Sequence, residues 1–187
     1  MKTYDPSHAA WRTRLAWLAA FVGASLIFSL GLGCEVPLVA FAALCGLRQS
    51  RREALLFVSV VWLTDELVGF TAWHYPVGFA GFGWAVAVGA AILAATWAAG
   101  TVARRATSAA GSVSAFISAF AVFEALLWIV SMAAGAMTKE AFTPVILAEV
   151  LGFNAATFAG LLAVRALKAH PGRYPHTLRA VGSGRHA

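Results

Sequence analysis

Residues 31–52 read GLGCEVPLVAFAALCGLRQSRR, and the fold turns on whether this stretch carries the chain back across a membrane. Its apolar part, Pro37 to Leu47, is eleven residues long and rises only about 17 Å as a helix. A hydrocarbon core is about 30 Å thick, so the segment crosses only if Gly31 to Val36 contribute. The cluster that follows it, Arg48, Arg51 and Arg52, decides between the two readings. If the segment does not return the chain, this cluster lies on the opposite side from Lys2, Arg12 and Arg14, against the rule that Lys and Arg in short loops stay cytoplasmic. If it does return, Lys2, Arg12, Arg14, the Arg48 to Arg52 cluster, Arg104, Arg105, Arg165, Lys168, Arg173, Arg179 and Arg185 share one side, and only Lys139 lies on the other.

Composition agrees with a membrane setting. The chain has 187 residues, 60% of them hydrophobic and 12% charged, with a mean hydropathy of +0.77, well above what soluble domains carry. Besides Pro37 to Leu47, apolar segments run near Arg14 to Leu32, Ala54 to Ala72, Phe82 to Gly100, Ser112 to Met137 and Pro144 to Leu167. The expectation is an all-α integral membrane protein of six transmembrane helices, forming a single domain over residues 1–168 with both termini cytoplasmic, in the inner (cytoplasmic) membrane of the cell. Residues 169–187 lose apolar periodicity and read as a flexible cytoplasmic tail. The net charge of +6 follows from flanks that face anionic lipid, and calls for no nucleic acid.

The basic start followed by an apolar run ending at Cys34 superficially resembles a cleaved signal. Glycine three residues before Cys34, the length of the run, and the odd helix number its removal would leave all argue for a retained first helix. Cys34 and Cys45 lie about 16 Å apart along a helix, too far for a disulfide.

Five of the eight acidic residues, Glu35, Asp65, Glu66, Glu124 and Glu149, lie in or beside apolar segments, where an ionisable group usually marks a site. Asp65 and Glu66 are thirteen and fourteen residues beyond Arg52, roughly 20 Å from the cytoplasmic face, and Glu149 is roughly 24 Å from it. Glu35 begins the second helix on the outer side. Glu124 lies a little past mid-depth and Asn154 near the middle. The layer is outward, and the inner half is almost wholly apolar, which suggests a pocket open to the outside and not a continuous pore.

Residues three and four apart share a helix face, so Glu66 accompanies Trp62 and Phe70, Asp65 accompanies Gly69, Glu124 accompanies Phe120 and Trp128, and Glu149 accompanies Gly152 and Phe153. Asp65 and Glu66 point about 100° apart, so one at most faces a given cavity squarely. Above them runs Trp73-His74-Tyr75-Pro76-Val77-Gly78-Phe79-Ala80-Gly81-Phe82-Gly83-Trp84, the densest aromatic and glycine stretch. It reads either as an interfacial aromatic belt or as a lid in which Trp73 and His74 close over a ligand held by carboxylates, with ring faces available to a cation. Buried carboxylates also have a structural reading, as protonated groups hydrogen-bonded between helices.

No catalytic motif is present: no HExxH, no CxxC, no glycine-rich phosphate loop and no GxSxG. The expectation is a protein without enzymatic activity or cofactor. Carboxylates with imidazole suit divalent metals, so Asp65, Glu66, His74 and Glu35 offer a metal permease as an alternative, and a structural membrane subunit is another. Ala16, Ala20 and Ala24 place small residues at four-residue intervals along the first helix, a spacing that permits close helix contact in lipid.

In length, helix count, cytoplasmic termini, outward polar layer and the Ala16/Ala20/Ala24 stripe, the chain resembles the substrate-binding S component of energy-coupling factor vitamin transporters. The resemblance covers essentially the whole chain and is architectural. It implies capture of a vitamin or its precursor from outside, toppling of the bundle in the bilayer, and docking of the first helix on an ATP-driven coupling module. The residues favour a cationic heteroaromatic such as thiamine or its pyrimidine precursor, with a corrinoid near His74 as a second candidate and a divalent metal as a third. In this reading Glu66, Glu124 and Glu149 hold polar groups of the ligand, Trp73 and Trp128 stack on it, His74 gates it, and Asp65 and Asn154 complete the site.

Overall fold

The computed structural model describes residues 6–31, 36–105, 108–134 and 142–168. Among these residues there are six helices: α1 (Pro6–Gly31), α2 (Leu38–Arg48), α3 (Arg51–Thr71), α4 (Phe79–Ala103), α5 (Ala109–Ala133) and α6 (Pro144–Lys168). There is no strand among the described residues. Five of the helices are long and apolar enough to cross a membrane, so the chain is an all-α, multi-pass membrane protein. The tail at 169–187 lies outside the described residues, as do Glu35 and Lys139.

Local sequence explains the helix starts. Ser50 and Glu53 form a reciprocal capping box at the start of α3, satisfying amides that a first turn leaves without partners. Ser108 accepts from the Gly111 amide at 3.2 Å and starts α5. Thr143 accepts from the Ile146 amide at 3.4 Å ahead of α6, whose first residue, Pro144, has no amide hydrogen to satisfy.

The decisive segment is a helix of eleven residues, nine of them buried. Its length covers only about 16 Å, roughly half the hydrocarbon thickness. It nevertheless reverses the chain. Arg14 Nη1 lies 3.0 Å from Glu53 Oε1, so the first part of α1 and the start of α3 are at the same end of the molecule and the two helices run parallel. An exposed pair of this kind adds little stability, but it fixes the topology. The end carrying Arg14, Arg48, Arg51, Arg52, Arg104 and Arg105 is called the basic end below. The C-terminal part of α6 reaches it too, since Leu161 and Val164 share a cleft with Arg48.

Because α2 is apolar all round, it occupies the middle of the bundle and packs on α3, α4, α5 and α6. Phe41, Val39, Val58, Val61 and Ile92 are fully buried there. Lipid is as apolar as these side chains, so close packing, not water exclusion, holds the helices together. Glycine makes the closest approach possible: a Cβ on Gly46 of α2 would lie 2.8 Å from the Gly100 backbone nitrogen of α4. Phe116 stacks on Phe158 with centroids 4.9 Å apart, joining α5 to α6. At the basic end, the Arg51 guanidinium lies 5.2 Å from the centre of the Trp97 ring, within cation–π range.

A helix that begins buried inside a bundle, as α2 does, leaves its first amides without water. Proline at position 37 removes one such donor, and the Leu38 and Phe41 amides donate to the Val36 and Pro37 carbonyls at 2.7 and 3.2 Å. The Ala40 amide donates to Asn154 Oδ1 at 3.1 Å, so a side chain of α6 caps the start of α2.

Candidate functional site

At the end opposite the arginines, the polar groups of α1 and α3 meet. Ser25 and Ser29 are four residues apart and share one face of α1; both are buried. Ser29 Oγ donates to Asp65 Oδ1 at 3.0 Å. The Ser29 carbonyl accepts from Trp73 Nε1 at 3.1 Å, so a single residue of α1 holds both a carboxylate of α3 and the first ring of the following loop. One turn away, Ser25 Oγ is buried without a hydrogen-bond partner among the described residues, an unfavourable arrangement unless something else fills its needs.

Glu66 turns to the other side of α3. It accepts from Trp62 Nε1 at 3.1 Å, the one-turn spacing that brings the two side chains together on a helix. Trp62 in turn fills the space left by Gly89 of α4, where a Cβ would lie 2.6 Å from the indole. The adjacent acids therefore face different neighbours, Asp65 towards α1 and Glu66 towards the α4 side.

The aromatic loop folds down onto the end of α3. The Tyr75 amide donates to the Gly69 carbonyl at 3.1 Å, and its ring packs over Gly69, where a side chain would collide with it. Phe70 contacts both Tyr75 and Phe82, with centroids 5.8 and 5.0 Å apart. His74 is exposed and takes a φ of 54°, the left-handed conformation uncommon outside glycine. That turn points the chain back over Gly69 while Trp73 remains tied to α1. Trp73 is 43% exposed, so its ring is both anchored and accessible.

The remaining sequence-selected residues lie elsewhere. Glu124 and Trp128 are on α5, which packs on α4 and α2; Glu124 is half-buried and Trp128 exposed. Glu149 is exposed on α6. Asn154 is 3% exposed and engages both ends of its amide, Oδ1 with Ala40 and Nδ2 with the Val150 carbonyl at 3.0 Å. The structure thus brings Asp65, Glu66, Trp73 and the adjoining His74 into one region and distributes Glu124, Trp128, Glu149 and Asn154 over other helices. Glu35 is outside the described residues.

Sequence reasoning missed Ser29 and Ser25, and noted Trp62 only as a neighbour of Glu66. The available signal was two serines one turn apart in the otherwise apolar stretch 15–31 of α1. Among the described residues, no ion pair joins Asp65, Glu66, Glu124 or Glu149 to a basic side chain, and no three metal-ligating side chains come together. The cavities lined wholly by described residues include ones of about 570 and 250 Å³ at the basic end.

Comparison with protein-family models, with curated proteins and with solved structures finds no match to this chain.

Proposed function

We propose that this protein is the membrane-embedded capture component of an uptake system, binding a cationic heteroaromatic small molecule, of the kind exemplified by thiamine or its pyrimidine precursor, at the end opposite the arginines. The observation that carries the reading is the pair Asp65 and Glu66, two carboxylates in an apolar helix with no basic partner among the described residues. Both are flanked by indoles. Both carboxylates are half-buried; a partly desolvated carboxylate without a counter-ion is unfavourable, and an organic cation supplies the missing charge. Trp62 and Trp73 offer ring faces and already hold, through their N–H groups, the surrounding framework.

The arginine-rich end faces the cytoplasm in this reading, which directs the acids outward. Ala16 and Ala20 are exposed on α1 while Ala24 is partly buried against the core. This disposition supports α1 as the contact surface for an ATP-driven coupling module, as the resemblance to S components implies.

Purified protein titrated with thiamine, followed by tryptophan fluorescence or calorimetry, tests the site. Asp65→Asn and Glu66→Gln each weaken binding on the order of tenfold or more, the scale of a lost charged hydrogen bond. In a vitamin auxotroph dependent on this protein for uptake, Glu66→Gln and Glu124→Gln report whether α5 takes part. Growth unaffected by any of the three substitutions, at limiting vitamin, rules out the carboxylate roles.

A further inference from the structure

Helices α1 and α6 touch near the acid-bearing end, where Phe28 and Phe153 meet edge to face with centroids 5.7 Å apart. Toward the basic end a cleft of about 250 Å³ opens between them. Trp17 and Phe21 of α1 form one wall, Leu161 and Val164 of α6 form the other, and Leu44 of α2 is the floor. Arg48, the last residue of α2, closes the cleft at its basic end and is exposed. Among the described residues, no acidic side chain lines it. On the adjoining face of α1, Arg12 lines a second hollow that shares Trp17 and Ala20 with the first.

The chemistry is graded along the membrane normal: apolar walls at acyl-chain depth, then a guanidinium where α2 ends. A guanidinium pairs well with phosphate oxygens, and basic pockets between membrane helices on the cytoplasmic side suit acidic headgroups. Trp17 and Val164 are exposed on two helices long and apolar enough to cross a membrane, surfaces whose ordinary surroundings are lipid. We propose that it is a binding site for one anionic phospholipid, with an acyl chain lying between Trp17 and Val164 over Leu44 and with the phosphate held by Arg48. The bound lipid wedges α1 from α6 at the basic end, and so sets the position of the exposed half of α1. This site is independent of the carboxylate region, and neither depends on the other.

Native mass spectrometry of the full chain in mild detergent tests the proposal, with added dioleoylphosphatidylglycerol, dioleoylphosphatidylcholine or tail-free glycerol phosphate. One phosphatidylglycerol is expected to be retained at roughly fivefold higher occupancy than phosphatidylcholine, the contribution of one arginine near a charged headgroup. Glycerol phosphate is not retained. Arg48→Gln brings the two lipids to equal occupancy, and Val164→Trp, which fills the cleft from an exposed position, lowers retention of both. Equal retention of the two lipids by the unaltered protein overturns the proposal, as does retention untouched by Val164→Trp. So does glycerol phosphate retained as well as the lipid, or a second protein chain occupying the cleft in place of lipid.

Discussion

Asn154 shows how one side chain can serve an element to which it does not belong. Its Oδ1 receives the Ala40 amide from a helix that starts among apolar neighbours, where water is not at hand. Replacing it with leucine keeps the volume and strands that amide, an expected loss of about 1–3 kcal/mol. Thermal unfolding in detergent reads it directly: Asn154→Leu melts at lower temperature, with or without ligand. An unchanged midpoint would show the bond to be dispensable. Glu149→Gln, at an exposed position, leaves the same midpoint where it was. The sequence places Asn154 near mid-depth but could not disclose its partner, because a backbone amide 114 residues away leaves no mark in side-chain patterning. Ser29 was hidden for a similar reason. Its role with Asp65 and Trp73 depends on how α1 sits against α3, and a serine in an apolar helix ordinarily bonds to its own backbone.

At the scale of the element, α2 is the unusual member: short, apolar on every face and surrounded by four other helices. Its contact with α4 leaves no room for a methyl group at Gly46, where a Cβ would crowd the Gly100 amide, the Ala99 side chain and the Thr96 carbonyl, all within 2.9 Å. Backbone cannot move aside as a side chain tip can. Gly46→Ala therefore separates α2 from α4 and destabilises the bundle by about 1–3 kcal/mol, the usual range for overpacking. Gly23→Ala is the matched control, since a Cβ there meets nothing within 4 Å and alanine is the better helix former. If both variants melt alike, the close approach is not what holds these helices. Helix boundaries were largely legible. Pro144 announces the start of α6, whereas α3 starts at Arg51, three residues ahead of the predicted Ala54, because Ser50 and Glu53 cap it. α1 begins at Pro6, ahead of the predicted Arg14, since a helix can continue beyond the apolar run that identifies a span.

For the whole molecule, the topology is testable without any ligand. In a cysteine-free background, Thr13→Cys and Ser50→Cys should react with a membrane-impermeant thiol reagent from the same side, and Val77→Cys from the other. Labelling of Ser50→Cys from the side opposite to Thr13→Cys would mean that α2 does not turn the chain. Arg14 beside Glu53 and Ser29 beside Asp65, at the two ends of parallel α1 and α3, are the contacts on which this expectation stands.

The sequence by itself determined the class: an apolar composition, helices of spanning length, and arginines that balance only if the eleven-residue segment returns the chain. These properties are local or additive, and survive without knowing which helix touches which. It also assigned each acid a distance along its helix, because helical rise is regular. Only the tertiary structure decided which of them meet. Asp65 and Glu66 lie near Trp62, Trp73 and Ser29, while Glu124, Glu149 and Asn154 belong to other contacts. Depth along the membrane is one coordinate; rotation and order of helices within it are set by packing, and in lipid that packing depends on individual small residues such as Gly46, Gly89 and Gly100.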